Sequence, residues 1–286
     1  MEEILVKCAK QRLYVVELRH IPGMLFNDDR HVIGLEEELD IIQGVLEKVR
    51  RDHSLDPKEF HLRMIFTGLK IVGRSHITSM IQEIISGRSF TKDLIAGFDM
   101  VNEEDVTPPI LSFVPDILDG KRRDPLDCFF HCGETHDRCN TNLFDAILLG
   151  TRRIGHGFQL FLHPHLQNLV KERDICIEAC PVSNLLLGYT TDLRNHPVRY
   201  MLARGIQASI SSDDPGFFGY EGVTMDYLMT FVAWELNLRD LKKLSLNGIN
   251  YSSLNEERKR HLRENVFPKE WKAFVDRVIS NYSQEQ

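Results

Sequence analysis

The sequence has no excess of basic charge: 35 Lys and Arg stand against 42 Asp and Glu, a formal net charge of −7 at pH 7. That balance excludes a general electrostatic nucleic-acid binder, which needs a basic stripe facing the phosphates. No apolar run approaches the roughly 20 residues of a membrane-spanning helix. Met1 is followed by Glu2 and Glu3, not by a basic and then an apolar leader segment. The six cysteines fall at no zinc-ribbon spacing. Cys128 and Cys132, like Cys176 and Cys180, lie four apart in and around strand-like runs. At that spacing they share a face but cannot bridge, so they read as buried thiols. A last absence concerns chemistry: no strand-borne His-x-His is found near the N-terminus. His163-Pro164-His165 has the spacing, but it reads as a helix start on the surface.

What is present is an ordinary globular composition, 42% hydrophobic and 27% charged over 286 residues, enough for one barrel-sized domain spanning 1–286. Strand-like runs are expected at 13–18, 62–66, 94–98, 128–130, 153–154, 176–178 and 207–210. Helical spacing of apolar residues is expected at 35–51, 77–85, 110–118, 142–149, 164–172 and 197–204, with further helices from 225 onward. Strand and helix alternate, so the fold class is α/β with a parallel sheet and helices outside. Seven strands are one short of a TIM-type (β/α) barrel.

In such barrels the chemistry sits at the C-terminal ends of the strands. His131 and Glu134 follow one run, His156 ends another, and Asp213 and Asp214 follow a third. Imidazole and carboxylate suit zinc, which takes nitrogen and oxygen ligands and keeps a position for water. His131 and Asp213 are the candidate ligands. His156 suits the orientation or deprotonation of that water. Glu134 suits a general acid in surroundings that keep it protonated. Asp214 follows Asp213 directly and points elsewhere, leaving it for substrate.

These residues lie in FFHCGET (129–135), TRRIGHGF (151–158), CPVSN (180–184), DLRNHPV (192–198) and SSDDPGFFG (211–219), with weaker support from YVVELR (14–19) and GFDMVNEED (97–105). Through this ordered set the chain resembles the adenosine deaminases, most closely the adenosine deaminase-related growth factor subfamily, over nearly its whole length. The resemblance implies a metal-dependent hydrolase barrel that deaminates adenosine or 2′-deoxyadenosine to inosine or 2′-deoxyinosine and ammonia, with zinc as cofactor. It implies that His131 and Asp213 hold zinc, Glu134 protonates purine N1, His156 helps activate the attacking water and Asp214 bonds N7. It implies a purine nucleoside as the partner molecule, with neither nucleic acid nor membrane, and a secreted, homodimeric protein.

The sequence departs from the family pattern in several places. The family carries two more zinc ligands as His-x-His on its first barrel strand. This chain is expected to begin in the helix before the family's second strand, leaving that strand and the upstream dimerisation segment outside it. Cys132 replaces the usual Ala. Asn102 replaces a usual Gly beside the purine, where a side chain would crowd the ring. Alternative readings are therefore a non-catalytic, growth-factor-like or binding protein on a deaminase scaffold, an inactive truncated isoform, and a hydrolase of another purine such as adenosine monophosphate. An open seven-stranded barrel also leaves two bare strand edges, a liability for aggregation.

Overall fold

β-Branched and aromatic residues between turn-forming segments set the strands of the chain, whose computed structural model describes residues 1–91 and 93–284. The strands are β1 (Val15–His20), β2 (His61–Leu69), β3 (Ile95–Val101), β4 (His131–Cys132), β5 (Arg153–His156), β6 (Cys176–Ala179) and β7 (Ala208–Ile210). All pairings are parallel and sequential, β1-β2-β3 and β4-β5-β6-β7. Phe98 joins the two blocks: its N–H donates to Asp127 O, and its own carbonyl accepts from Phe129 N–H, each at 2.9 Å. The result is one sheet with β1 and β7 as its edges, and among the described residues these two strands do not pair.

The helices are α1 (Glu2–Lys10), α2 (Leu35–Asp52), α3 (Arg74–Phe90), α4 (Val114–Arg123), α5 (Asn142–Leu148) and α6 (Pro164–Glu172). They continue with α7 (Pro181–Leu186), α8 (Pro197–Ala203), α9 (Thr224–Ala233), α10 (Leu238–Asn250), α11 (Glu256–His261) and α12 (Phe267–Gln284). In α2, Leu39, Ile42, Leu46 and Val49 recur every three or four residues and are buried, while the intervening Asp40, Glu47 and Lys48 face outward. Ile77, Met80, Ile81 and Ile84 do the same in α3. Each such side chain contributes about 2 kcal/mol of hydrophobic burial. This outer core leaves the inside of the sheet free for polar residues. No helix among the described residues is long and apolar enough to cross a membrane.

Three details correct the sequence reading. Residues 128–130 are extended and bonded on both sides, but the regular ladder with β5 begins at His131, opposite Gly155. His131 therefore stands in a strand, not in the loop after one. The first three strands extend further at their C-terminal ends than their apolar runs suggest, which brings Arg19 and Asp99 inside the ladder. The short helix α7 was not anticipated; its Pro181 sits in the first turn, where the missing N–H costs nothing. The cysteines agree with expectation: Cys128, Cys132, Cys176 and Cys180 are free and buried. His163 caps the start of α6, its ring against Phe144 at 5.2 Å.

Candidate active site

The ends of β4, β5 and β7 bring His131, His156 and Asp213 together. One ligand atom from each lies within 4.8 Å of the other two. The imidazole centroids are 5.1 Å apart. Gly155 permits this approach: a Cβ there would sit 3.2 Å from both Cα and Cγ of His131. His156 (φ 62°), Asp213 (φ 56°) and Asn102 (φ 114°) all have positive φ without being glycine. Left-handed backbone costs a non-glycine residue roughly 1–2 kcal/mol. Three such residues at the ends of β5, β7 and β3 mark where the fold spends stability on side-chain direction.

His131 is held from behind. Its Nδ1 lies 2.6 Å from Asp99 Oδ2, and its backbone N–H donates to Asp99 Oδ1 at 2.9 Å. That leaves Nε2 pointing at the cluster, the usual way a carboxylate orients a ligating imidazole. Asp99 is itself held by Arg19, whose Nε donates to Oδ2 at 2.6 Å. Arg19 also donates to Glu178 Oε2 at 2.8 Å, and Glu178 Oε1 accepts from Arg153 Nε at 2.6 Å. Arg153 reaches Glu17 and the Tyr251 carbonyl and stacks over the Phe129 ring at 4.3 Å. A continuous ladder of alternating charge thus runs through the sheet interior from Glu17 to His131. Burial opposes the charges of Arg19, Asp99, His131, Arg153 and Glu178, yet their neighbours outweigh burial. Arg19 and His131 are held above their ordinary pKa values, Asp99 and Glu178 below theirs.

Glu134 lies in the turn after β4. Its backbone N–H donates to Glu104 Oε1 at 2.7 Å. Its Oε1 accepts from Asn184 Nδ2 at 2.9 Å and lies 3.1 Å from His156 Nδ1. Burial, reinforced by Asp213 and Glu104 against the opposing His131, lifts Glu134 to about 8. The carboxyl therefore carries its proton at neutral pH. Burial, followed by repulsion from His131, lowers His156 to about 3, so its imidazole is neutral. Ser183 Oγ donates to Asp213 Oδ2 at 2.7 Å. The carboxylate of Asp214 makes no hydrogen bond among the described residues. The Asn102 side chain is tied to the turn after β2, its Oδ1 accepting from Ile71 N–H at 3.2 Å.

The family model for adenosine deaminase matches residues 2–269. Adenosine deaminase 2 of Dictyostelium discoideum is 39% identical over 294 residues, covering 99% of this chain and 53% of its own length. The chain belongs to the adenosine deaminase family. Adenosine deaminase 2 of Homo sapiens is 37% identical over 232 residues, covering 75% of this chain and 45% of its own. The chain thus spans about half the length of the curated relatives it matches. Solved structures share the fold. An amidohydrolase from Burkhoderia ambifaria with bound Zn superposes with a TM-score of 0.82 at 20% identity, over 98% of this chain and 74% of that one. Arabidopsis ADAL complexed with IMP gives a TM-score of 0.80 at 17% identity, over 95% and 76%.

Within this deaminase fold, four of the five residues singled out in the sequence converge: His131, Glu134, His156 and Asp213. Asp214 follows on the same loop. Arg19, Asp99, Glu104, Ser183, Asn184 and His196 also surround this site, although the sequence does not single them out. Their motifs, YVVELR, GFDMVNEED, CPVSN and DLRNHPV, are visible in the sequence, but no local pattern says which residue in each one faces the site.

Proposed function

We propose that the chain carries out hydrolytic deamination of adenosine or 2′-deoxyadenosine: water adds at C6, ammonia leaves, and inosine or 2′-deoxyinosine is formed. The observation that carries this reading is the half-buried carboxyl of Glu134, 3.1 Å from His156 Nδ1, at a two-imidazole, one-carboxylate cluster. That donor set fits zinc, with His131 and Asp213 as ligands and His156 beside them. Bound there, zinc lowers the pKa of water toward neutrality. Glu134 gives its proton to purine N1, which draws electrons from C6 and makes it electrophilic. The Nε2 edge of His156, facing Asp213 at 4.0 Å, accepts a proton from the attacking water. Asp214 bonds purine N7; partial enclosure and then the charge of Asp213 hold its carboxyl above the ordinary carboxylate range.

The test is conversion of adenosine by the zinc-supplemented chain in ¹⁸O-water, with adenosine monophosphate run in parallel. Hydrolytic deamination predicts inosine labelled at O6 and one ammonia per inosine. A folded, zinc-loaded sample that leaves adenosine untouched contradicts the proposal, and faster turnover of the monophosphate moves it to nucleotides.

A further inference from the structure

The proposed chemistry leaves His196 and Asn184 without a part, although both are wholly buried polar residues next to it. His196 lies 5.3 Å from Trp234 and 5.5 Å edge-on from Phe158, between ring centroids. Its two nitrogens face different partners. Nδ1 accepts the backbone N–H of Val198 at 3.3 Å, as the cap of α8. Nε2 lies 3.1 Å from Asn184 Oδ1. Asn184 in turn places Nδ2 at 2.9 Å from Glu134 Oε1 and 3.3 Å from His156 Nδ1.

A carboxamide can turn over and exchange its oxygen and nitrogen, so something must decide its direction. A backbone N–H can only donate, so Nδ1 of His196 must be the bare nitrogen. A neutral ring then carries its hydrogen on Nε2, and burial, which lowers His196 to about 4, keeps the ring neutral. An Nε2–H requires an acceptor, which is Asn184 Oδ1. We propose that the Val198 N–H, acting through His196, fixes the Asn184 amide with its NH2 group toward Glu134, making His196 and Asn184 positioning residues for the acid. With Oε1 receiving this hydrogen bond, the carboxyl proton resides on Oε2, free to be transferred. In the turned-over amide, Oδ1 would face Oε1, draw the acidic proton onto it and hold it there.

The kinetic arm of the test rests on the proposed deamination; the spectroscopic arm does not. In the ¹⁵N-labelled full chain, the ring nitrogens of His196 are expected to show the neutral Nε2–H tautomer, and the Nδ1–H tautomer overturns the inference. His196→Phe keeps an aromatic ring in the site but removes both hydrogen bonds, whereas His196→Gln restores a donor toward Asn184. The Asn184 side-chain amide resonances should shift in His196→Phe and return toward wild type in His196→Gln. In turnover, kcat should fall about 10- to 100-fold in His196→Phe with KM little changed, and largely recover in His196→Gln. A folded His196→Phe protein with wild-type amide resonances overturns the inference. A wild-type chain with the predicted tautomer but no turnover rejects the deaminase reading and leaves the hydrogen-bond chain standing.

Discussion

Replacing Arg19 with Met separates a buried charge ladder from ordinary surface ion pairs. Arg19 Nε meets Asp99 at 2.6 Å, and Asp99 is wholly inaccessible. Lys272 meets Asp276 on α12 at the same 2.6 Å, with side chains 77% and 57% exposed. Equal distances carry very different energies here. An exposed i,i+4 pair contributes about 0.3–0.5 kcal/mol, because water screens it and already solvates both charges. Removing one partner of a buried pair leaves the other desolvated and uncompensated, at about 3–5 kcal/mol. Arg19→Met strips Asp99 and Glu178 of one partner each, although His131 and Arg153 remain to them. The expected loss is about 4 kcal/mol, or roughly 10 °C in melting temperature. Urea unfolding followed by circular dichroism measures it, with Lys272→Met as the control near zero. Adding Asp99→Asn to Arg19→Met should cost clearly less than the sum of the single changes, since the second charge no longer needs a partner. A loss below about 1 kcal/mol for Arg19→Met would show that the ladder is solvated like an exposed ion pair.

Two further outcomes follow from the geometry. Asp226 on α9 is fully buried, its Oδ2 3.0 Å from the Tyr220 hydroxyl, and burial raises it to about 7. The folded state therefore binds a proton that the unfolded state releases near pH 4. This contribution is complete below pH 4, is lost progressively toward pH 7, and amounts to at most about 4 kcal/mol. Asp226→Asn should gain stability relative to wild type across that window, and parallel stability curves for the two proteins would contradict the assignment. Gly155→Ala places a methyl group against His131, so turnover and cobalt or zinc affinity should drop about tenfold, with unfolding free energy changed by roughly 1–3 kcal/mol. Metal titration and urea melts together separate this from a general loss of fold.

The apolar runs disclosed the strand order, because a parallel sheet buried by helices leaves a strong local signal. His131, Glu134, His156 and Asp213 were legible for a related reason: each follows or ends such a run, and the barrel brings strand ends together. The ladder behind them was not legible. Arg19 and Asp99 are 80 residues apart and Arg19 and Glu178 are 159 apart, so no local spacing links them. Asn102 shows a different limit. The resemblance implies glycine where this sequence has a side chain, but only the backbone angle and the bond to Ile71 N–H show where that side chain goes. Likewise CPVSN marks a motif without saying that Ser183 faces Asp213 while Asn184 faces Glu134.

The most direct measurement compares the purified wild-type chain with Glu134→Gln, each with zinc supplied, for formation of inosine from adenosine. Gln keeps the size of the side chain and its bond to Asn184 but has no acidic proton to give N1. Wild type should turn adenosine over and Glu134→Gln should lose at least about 100-fold, with both proteins equally folded. Equal rates in the two proteins, or inosine formed by neither, would contradict Glu134 as the acid of a deaminase site.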